Sequence, residues 1–62
     1  MQLEIIEENR GPYFGSYELW TWTATIGTRQ LRYGRLLENP GVLPFAREDA
    51  TWSINREAKK DE

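Results

Sequence analysis

The stretch YELWTWTATIGTRQLRYGRLLE, residues 17–38, decides the fold. Two tryptophans, four threonines and three arginines lie close together in it, as a basic aromatic surface or as the two faces of a hairpin. The turn discriminates between these. A type II′ hairpin turn takes glycine at its first central position, and Gly27-Thr28 supplies it. Ile26 then faces Arg29, Ala24 faces Leu31, Trp22 faces Tyr33 and Trp20 faces Arg35. On the other side Thr25 meets Gln30, Thr23 meets Arg32, Thr21 meets Gly34 and Leu19 meets Leu36. Trp20, Trp22, Ala24, Ile26, Leu31, Tyr33 and Leu37 form an inner apolar face, and the threonines with Arg32 form an outer one. A slip of one residue would mix the two.

The pleat also divides the arginines. Arg35 shares the inner face with Trp20, near enough for a cation–π contact of roughly 0.5–2 kcal/mol. Arg32 projects outward beside Thr23, and Arg29 sits at the turn end.

Working outward, residues 2–8 (QLEIIEE) read as a short strand, with Leu3 and Ile5 on one face and Ile6 on the other. Residues 9–16 (NRGPYFGS) are rich in turn formers and read as a loop. Asn39-Pro40-Gly41 suits a type II turn, with proline and then glycine at its centre. A helix is expected from about residue 46 to 60, with Ala46 as N-cap and a staple between Phe45 and Ala50. Glu48 and Asp49 in its first turn, with Lys59 and Lys60 in its last, would complement the macrodipole. Ala50, Ile54 and Ala58 line one stripe, with Ser53 and Ala46 beside it, and Trp52 points away from that stripe. The expected fold is α+β: a three-stranded antiparallel sheet in β-β-β-α order, the helix packed on one face, in a single domain spanning residues 1–62.

Composition bounds what such a fold can do. A core built from 62 residues rarely supplies more than about 3–5 kcal/mol. Cysteine is absent, which removes disulfides, thiolate metal sites and a cysteine nucleophile. Histidine is absent too, and with it the commonest general base and transition-metal ligand. Self-association is the remaining way to reinforce a small core, so a homodimer is expected. Charged residues at 29% and hydrophobic residues at 39% give the balance of a folded globular chain. No apolar run approaches the ~18 residues of a membrane span, and the acidic MQLEIIEEN lacks the positive start of a secretory signal. A cytoplasmic protein without a membrane partner is expected. The net charge of −2 is unevenly spread: residues 1–18 carry four acids against Arg10, while residues 19–37 carry three arginines and no acid.

Several residues carry alternative readings. Trp20 and Trp22 form either the core under the helix or a stacking platform for nucleic-acid bases. Trp52 is either covered by Tyr13 and Phe14 or buried against another chain, and these three residues form the candidate partner or dimer interface. Thr21, Thr23, Thr25 and Arg32 make an outer sheet face that meets water, a second sheet or DNA phosphates. The acidic total weighs against strong non-specific nucleic-acid binding. Catalytic material is poor. The neighbours in Glu7-Glu8 and Glu48-Asp49 do not face one another on a strand or helix, and Ser16 and Ser53 lack a histidine. No phosphate-loop, dinucleotide or zinc-protease motif occurs. The chain is not expected to be an enzyme, and no metal or cofactor is expected.

The run YELWTWTATIG, a following strand and FAREDATWSINREAKK resemble the YegP-like small domain family of unknown function. Trp20, Trp22 and Ala24 match its second strand, and Ala50 and Ile54 match its helix. The resemblance spans residues 2–60 on short motifs. It implies a three-stranded antiparallel sheet with one C-terminal helix, association of two units, and no catalytic residues. The chain departs from that pattern at Gly27-Thr28, where the family has Asn-Gly, and at Ala46, where it has a serine-type cap. The family's glycine-rich link before the helix corresponds only loosely to Asn39-Pro40-Gly41-Val42.

The functional expectation is a small non-catalytic interaction or structural module that self-associates as a homodimer. One alternative is a small nucleic-acid-binding protein of phage or mobile-element type using the threonine and arginine sheet face. A second is a protein inhibitor or regulator of one partner, bound through Trp52 or the sheet face.

Overall fold

The computed structural model describes residues 3–60. Gly27 adopts a φ of 61°, the left-handed value that the turn demands, and joins strand β2 (Tyr17–Ile26) to strand β3 (Arg29–Leu37). Every cross-strand pair follows from that turn: Ile26 faces Arg29, Trp22 faces Tyr33, Trp20 faces Arg35, Thr21 faces Gly34. Strand β1 (Ile5–Phe14) pairs antiparallel with the other side of β2, giving one open sheet in the order β1-β2-β3. Helix α1 (Leu43–Lys60) then crosses one face. The chain is α+β, in β-β-β-α order.

Several local expectations are corrected, each for a physical reason. Residues 9–14 are not a loop but the second half of β1. The Asn9 side-chain oxygen accepts the Gly11 N–H at 2.7 Å, and Gly11 takes a φ of 88°. An extra residue is thereby absorbed between Asn9 and Pro12, and a second irregularity follows before Phe14. Turn-forming residues here make bulges rather than a loop. Pro12 is tolerated because β1 is an edge strand, where a missing N–H need not break a ladder. Gly15, at φ 57°, opens the two-residue turn into β2. Gln2, where the strand was expected to start, lies outside the described residues.

The connection after β3 is not a type II turn. Asn39 caps a short 3-10 turn, Pro40–Val42, by accepting the Gly41 N–H at 2.9 Å, and Gly41 is not among the glycines with positive φ. That turn feeds directly into α1, which therefore begins at Leu43 and not near Ala46. Pro44 is accommodated because the first-turn N–H groups of a helix have no intrahelical acceptor. The earlier start removes Ala46 as a cap and places Glu48 and Asp49 beyond the first turn. Phe45 is 67% exposed, so it staples nothing, whereas Ala46 is buried. Lys59 and Lys60 do lie in the last turn.

The core forms between the helix and the inner sheet face. Ala46, Ala50, Ile54 and Ala58 of α1 meet Trp22, Ala24, Leu31 and Leu37. Trp20, Ile26 and Tyr33 pack half-buried at its margin, with Leu3, Ile5 and Leu43. Three alanines in that stripe let the helix approach closely, and Trp22 fills the space between the layers. It is the largest side chain with under 2% exposure among the described residues. Its ring lies 6.0 Å from that of Tyr33, tilted by 56°. Arg35 does not stack on Trp20. It reaches the helix instead, with Nη1 donating to Asp49 Oδ2 at 2.9 Å.

Gly34, in the middle of β3, has no conformational need to be glycine. Its φ is not left-handed, and an added Cβ would meet Thr21 Cγ2 and the Trp20 carbonyl oxygen at 3.8 Å, ordinary contact. Gly34→Ala is therefore expected to raise stability by about 0.4–1 kcal/mol, by restricting the unfolded chain. A higher urea midpoint at unchanged slope would show it; a lower midpoint would mean that the strand cannot take the methyl group.

Candidate interaction surfaces

Opposite its buried stripe, α1 presents an outward face. Phe45 and Trp52 lie seven residues apart, so they share one line along the helix, and they are 67% and 62% exposed. Shallow apolar grooves flank Trp52. One is lined by Trp52, Asn55, Arg56 and Lys59, the other by Pro44, Arg47, Glu48, Thr51, Trp52 and Asn55. The Arg56 guanidinium lies 5.1 Å from the centre of the Trp52 ring, a cation–π contact one helical turn away. Among the described residues Glu48 and Lys59 form no ion pair within the chain.

Tyr13 and Phe14 are not brought to Trp52. They belong to the tip of the β1–β2 hairpin, each 68% exposed, and Phe14 packs 6.1 Å from Tyr17 of the same hairpin. Intramolecular cover of Trp52 by this pair is thereby ruled out. The three residues form two separate exposed aromatic patches.

The outer sheet face carries the expected Thr21, Thr23, Thr25 and Arg32, joined by Ile6, Leu19 and Leu36 and by Glu8 opposite Thr21. Thr21 is buried, and its hydroxyl oxygen has no hydrogen-bond partner. Glu8 is 3.5 Å from Arg10, so acid and base are mixed on this face. No helix covers it.

The helix side holds a cluster that the sequence reading missed. Glu7 faces Trp22 across the strands and accepts the indole N–H at 2.8 Å. Arg47 of α1 closes on the same carboxylate from above, Nε to Oε1 at 2.7 Å and Nη2 to Oε2 at 3.0 Å. Such fork-to-fork pairing is among the stronger charge-assisted contacts. The Arg47 hydrogen bonds hold the Glu7 carboxyl below the ordinary glutamate range; partial burial opposes them and the Trp22 N–H reinforces them. The Arg47 guanidinium is raised in turn, chiefly by its hydrogen bonds to Glu7. The period-2 run Leu3, Ile5, Glu7 was the available signal that Glu7 points inward.

Neither carboxylate pair works as a unit. Glu7 faces Arg47 while Glu8 faces Arg10, and Asp49 faces Arg35 while Glu48 has no ion partner among the described residues. Among the described residues no three His, Cys, Asp or Glu side chains gather as a metal site, and no helix is long and apolar enough to cross a membrane. Comparison with protein families, with curated proteins and with solved structures found no match to this chain.

Proposed function

We propose that the chain is a non-catalytic interaction module that self-associates through the outward face of α1. The observation that carries this reading is the exposure of Trp52 and Phe45 on one line of a helix whose opposite stripe is fully buried. Large aromatics are enriched at the centres of protein interfaces, and a domain with so small a core gains stability by association. A nucleic-acid role is less favoured: Arg35 is turned to Asp49, and Glu8 shares the outer face with Arg32.

Size-exclusion chromatography with light scattering tests the reading. The wild type is expected to run as a dimer at tens of micromolar. Trp52→Ala is expected to run as a monomer with an unchanged circular dichroism spectrum, since exposed positions usually alter stability by less than about 0.5 kcal/mol. A wild type that stays monomeric at that concentration removes the proposal.

A further inference from the structure

Resting on that reading, we infer that the partner is a second copy whose α1 lies antiparallel against the first, with the two-fold axis passing beside Trp52. The argument is one of symmetry and charge. A two-fold interface must be complementary to itself, so a stripe with acid at one end and base at the other pairs its opposite charges only when the two copies run antiparallel. The outward face of α1 is such a stripe. Its first half holds Glu48 and Asp49; its second half holds Arg56, Lys59 and Lys60.

The spacing places these groups together. At about 100° per residue, Phe45 and Lys59 both point within about 20° of Trp52, one on each side along the axis. Glu48 and Asn55 flank that line on one side, Asp49 and Arg56 on the other. Rotation about an axis perpendicular to both helices keeps each flank on its own side while reversing its direction. Glu48 then meets Lys59 and Asn55 of the second copy, and Asp49 meets the second copy's Arg56. Phe45 lies along the methylene stem of the second copy's Lys59, the ordinary way a lysine covers apolar surface.

Two features favour this arrangement over a parallel one. Glu48 and Lys59, which have no ion partner within the chain among the described residues, acquire each other. The helix dipoles run in opposite directions, so each negative C-terminus lies toward a positive N-terminus. The grooves on both sides of Trp52 leave room for the two indole rings to slide past one another at the 8–10 Å usual between packed helices. The helix of 18 residues, about 27 Å long, would be covered along most of its length. The assembly is then sheet, helix, helix, sheet, with the two threonine faces on opposite outer surfaces.

The test is a charge swap read by sedimentation equilibrium on the full chain. Glu48→Lys and Lys59→Glu are each expected to raise the dimer dissociation constant about tenfold, because each turns two attractive pairs into two repulsive ones. The double variant is expected to return to within about threefold of wild type. Circular dichroism checks that all three variants fold, as their exposed positions lead one to expect. A dimer that Trp52→Ala dissociates but neither swap affects keeps the helix face and overturns the antiparallel arrangement. A wild type that is monomeric overturns both readings. If in that case its exposed-tryptophan emission shifts with anionic vesicles or single-stranded DNA, the face belongs to that other partner.

Discussion

Trp22→Ala is expected to leave the chain predominantly unfolded at room temperature. Truncating a fully buried aromatic costs about 3–5 kcal/mol, and a core in a domain of this size rarely supplies more than that in total. The site is poorly able to collapse. Its ceiling is the helix stripe of Ala46, Ala50 and Ala58 with one isoleucine, short side chains that cannot swing into the gap. Its walls are Ala24 and Leu31 on backbone fixed by strand pairing. The Tyr33 ring, 6.0 Å away, loses its tilted partner, and Glu7 loses the N–H that it accepts. Trp20, only half-buried at the core margin, should tolerate alanine far better. Trp22→Phe keeps a ring and should fall between the two. Urea melts followed by far-ultraviolet circular dichroism decide the matter. A Trp22→Ala protein with a cooperative transition near the wild-type midpoint would mean that the stability lies elsewhere, in the edge strand or in association.

The contrast with Trp52 shows where the sequence is readable. Trp22 could be placed because a two-residue turn with one glycine fixes a register, and the register fixes which face each residue takes. All the β2–β3 pairs followed from Gly27. Trp52 could be placed outside the buried stripe because helical periodicity needs only the spacing from Ala50 and Ile54. What was not readable depends on side chains bonding to nearby backbone. Asn9 captures the Gly11 N–H and Asn39 captures the Gly41 N–H. Each contact converts a nominal loop into something more regular, a bulged edge strand or a 3-10 lead into the helix. Residues of this kind offer the backbone an alternative partner, and composition alone does not say whether a turn, a bulge or a cap results.

The candidate surfaces were legible to the same degree. Thr23, Thr25 and Arg32 follow from periodicity as outer-face residues and lie there, and Trp52 lies off the buried stripe as its spacing requires. Tyr13 and Phe14 stay open between covering Trp52 and sharing a partner interface with it, because the loop reading leaves their position undefined. Once β1 runs through to Phe14, the hairpin tip carries them away from the outward helix face. Phe45 was missed as an exposed residue for a related reason. With the helix starting at Leu43, its side chain turns outward onto the line of Trp52 rather than down onto Ala50.

Glu7→Ala should lower stability more than any other substitution of a charged residue in this chain, and Glu7→Gln should show why. Glu7 ties the edge strand to both layers: to Trp22 within the sheet and to Arg47 of the helix. Alanine leaves the part-buried indole N–H without its acceptor, at a cost of about 1–3 kcal/mol. Glutamine can still accept that N–H, but it carries no charge to hold Arg47. Its loss should therefore be smaller and should depend on pH. The sign follows from linkage. The folded-state Glu7 carboxyl titrates below its ordinary value, mainly because of Arg47, so its stabilising contribution is complete above the unfolded value of about 4.3. That contribution disappears as pH falls through the lower folded-state value. Wild-type stability should thus decline on acidification below about pH 4–5. The Glu7→Gln protein should start lower at neutral pH, decline less steeply, and approach the wild-type curve once the glutamate is protonated. Urea midpoints measured from neutral pH into the acid range test this. Two curves that remain parallel throughout would show that the Glu7 charge contributes nothing, leaving its bond to Trp22 as the whole of its role.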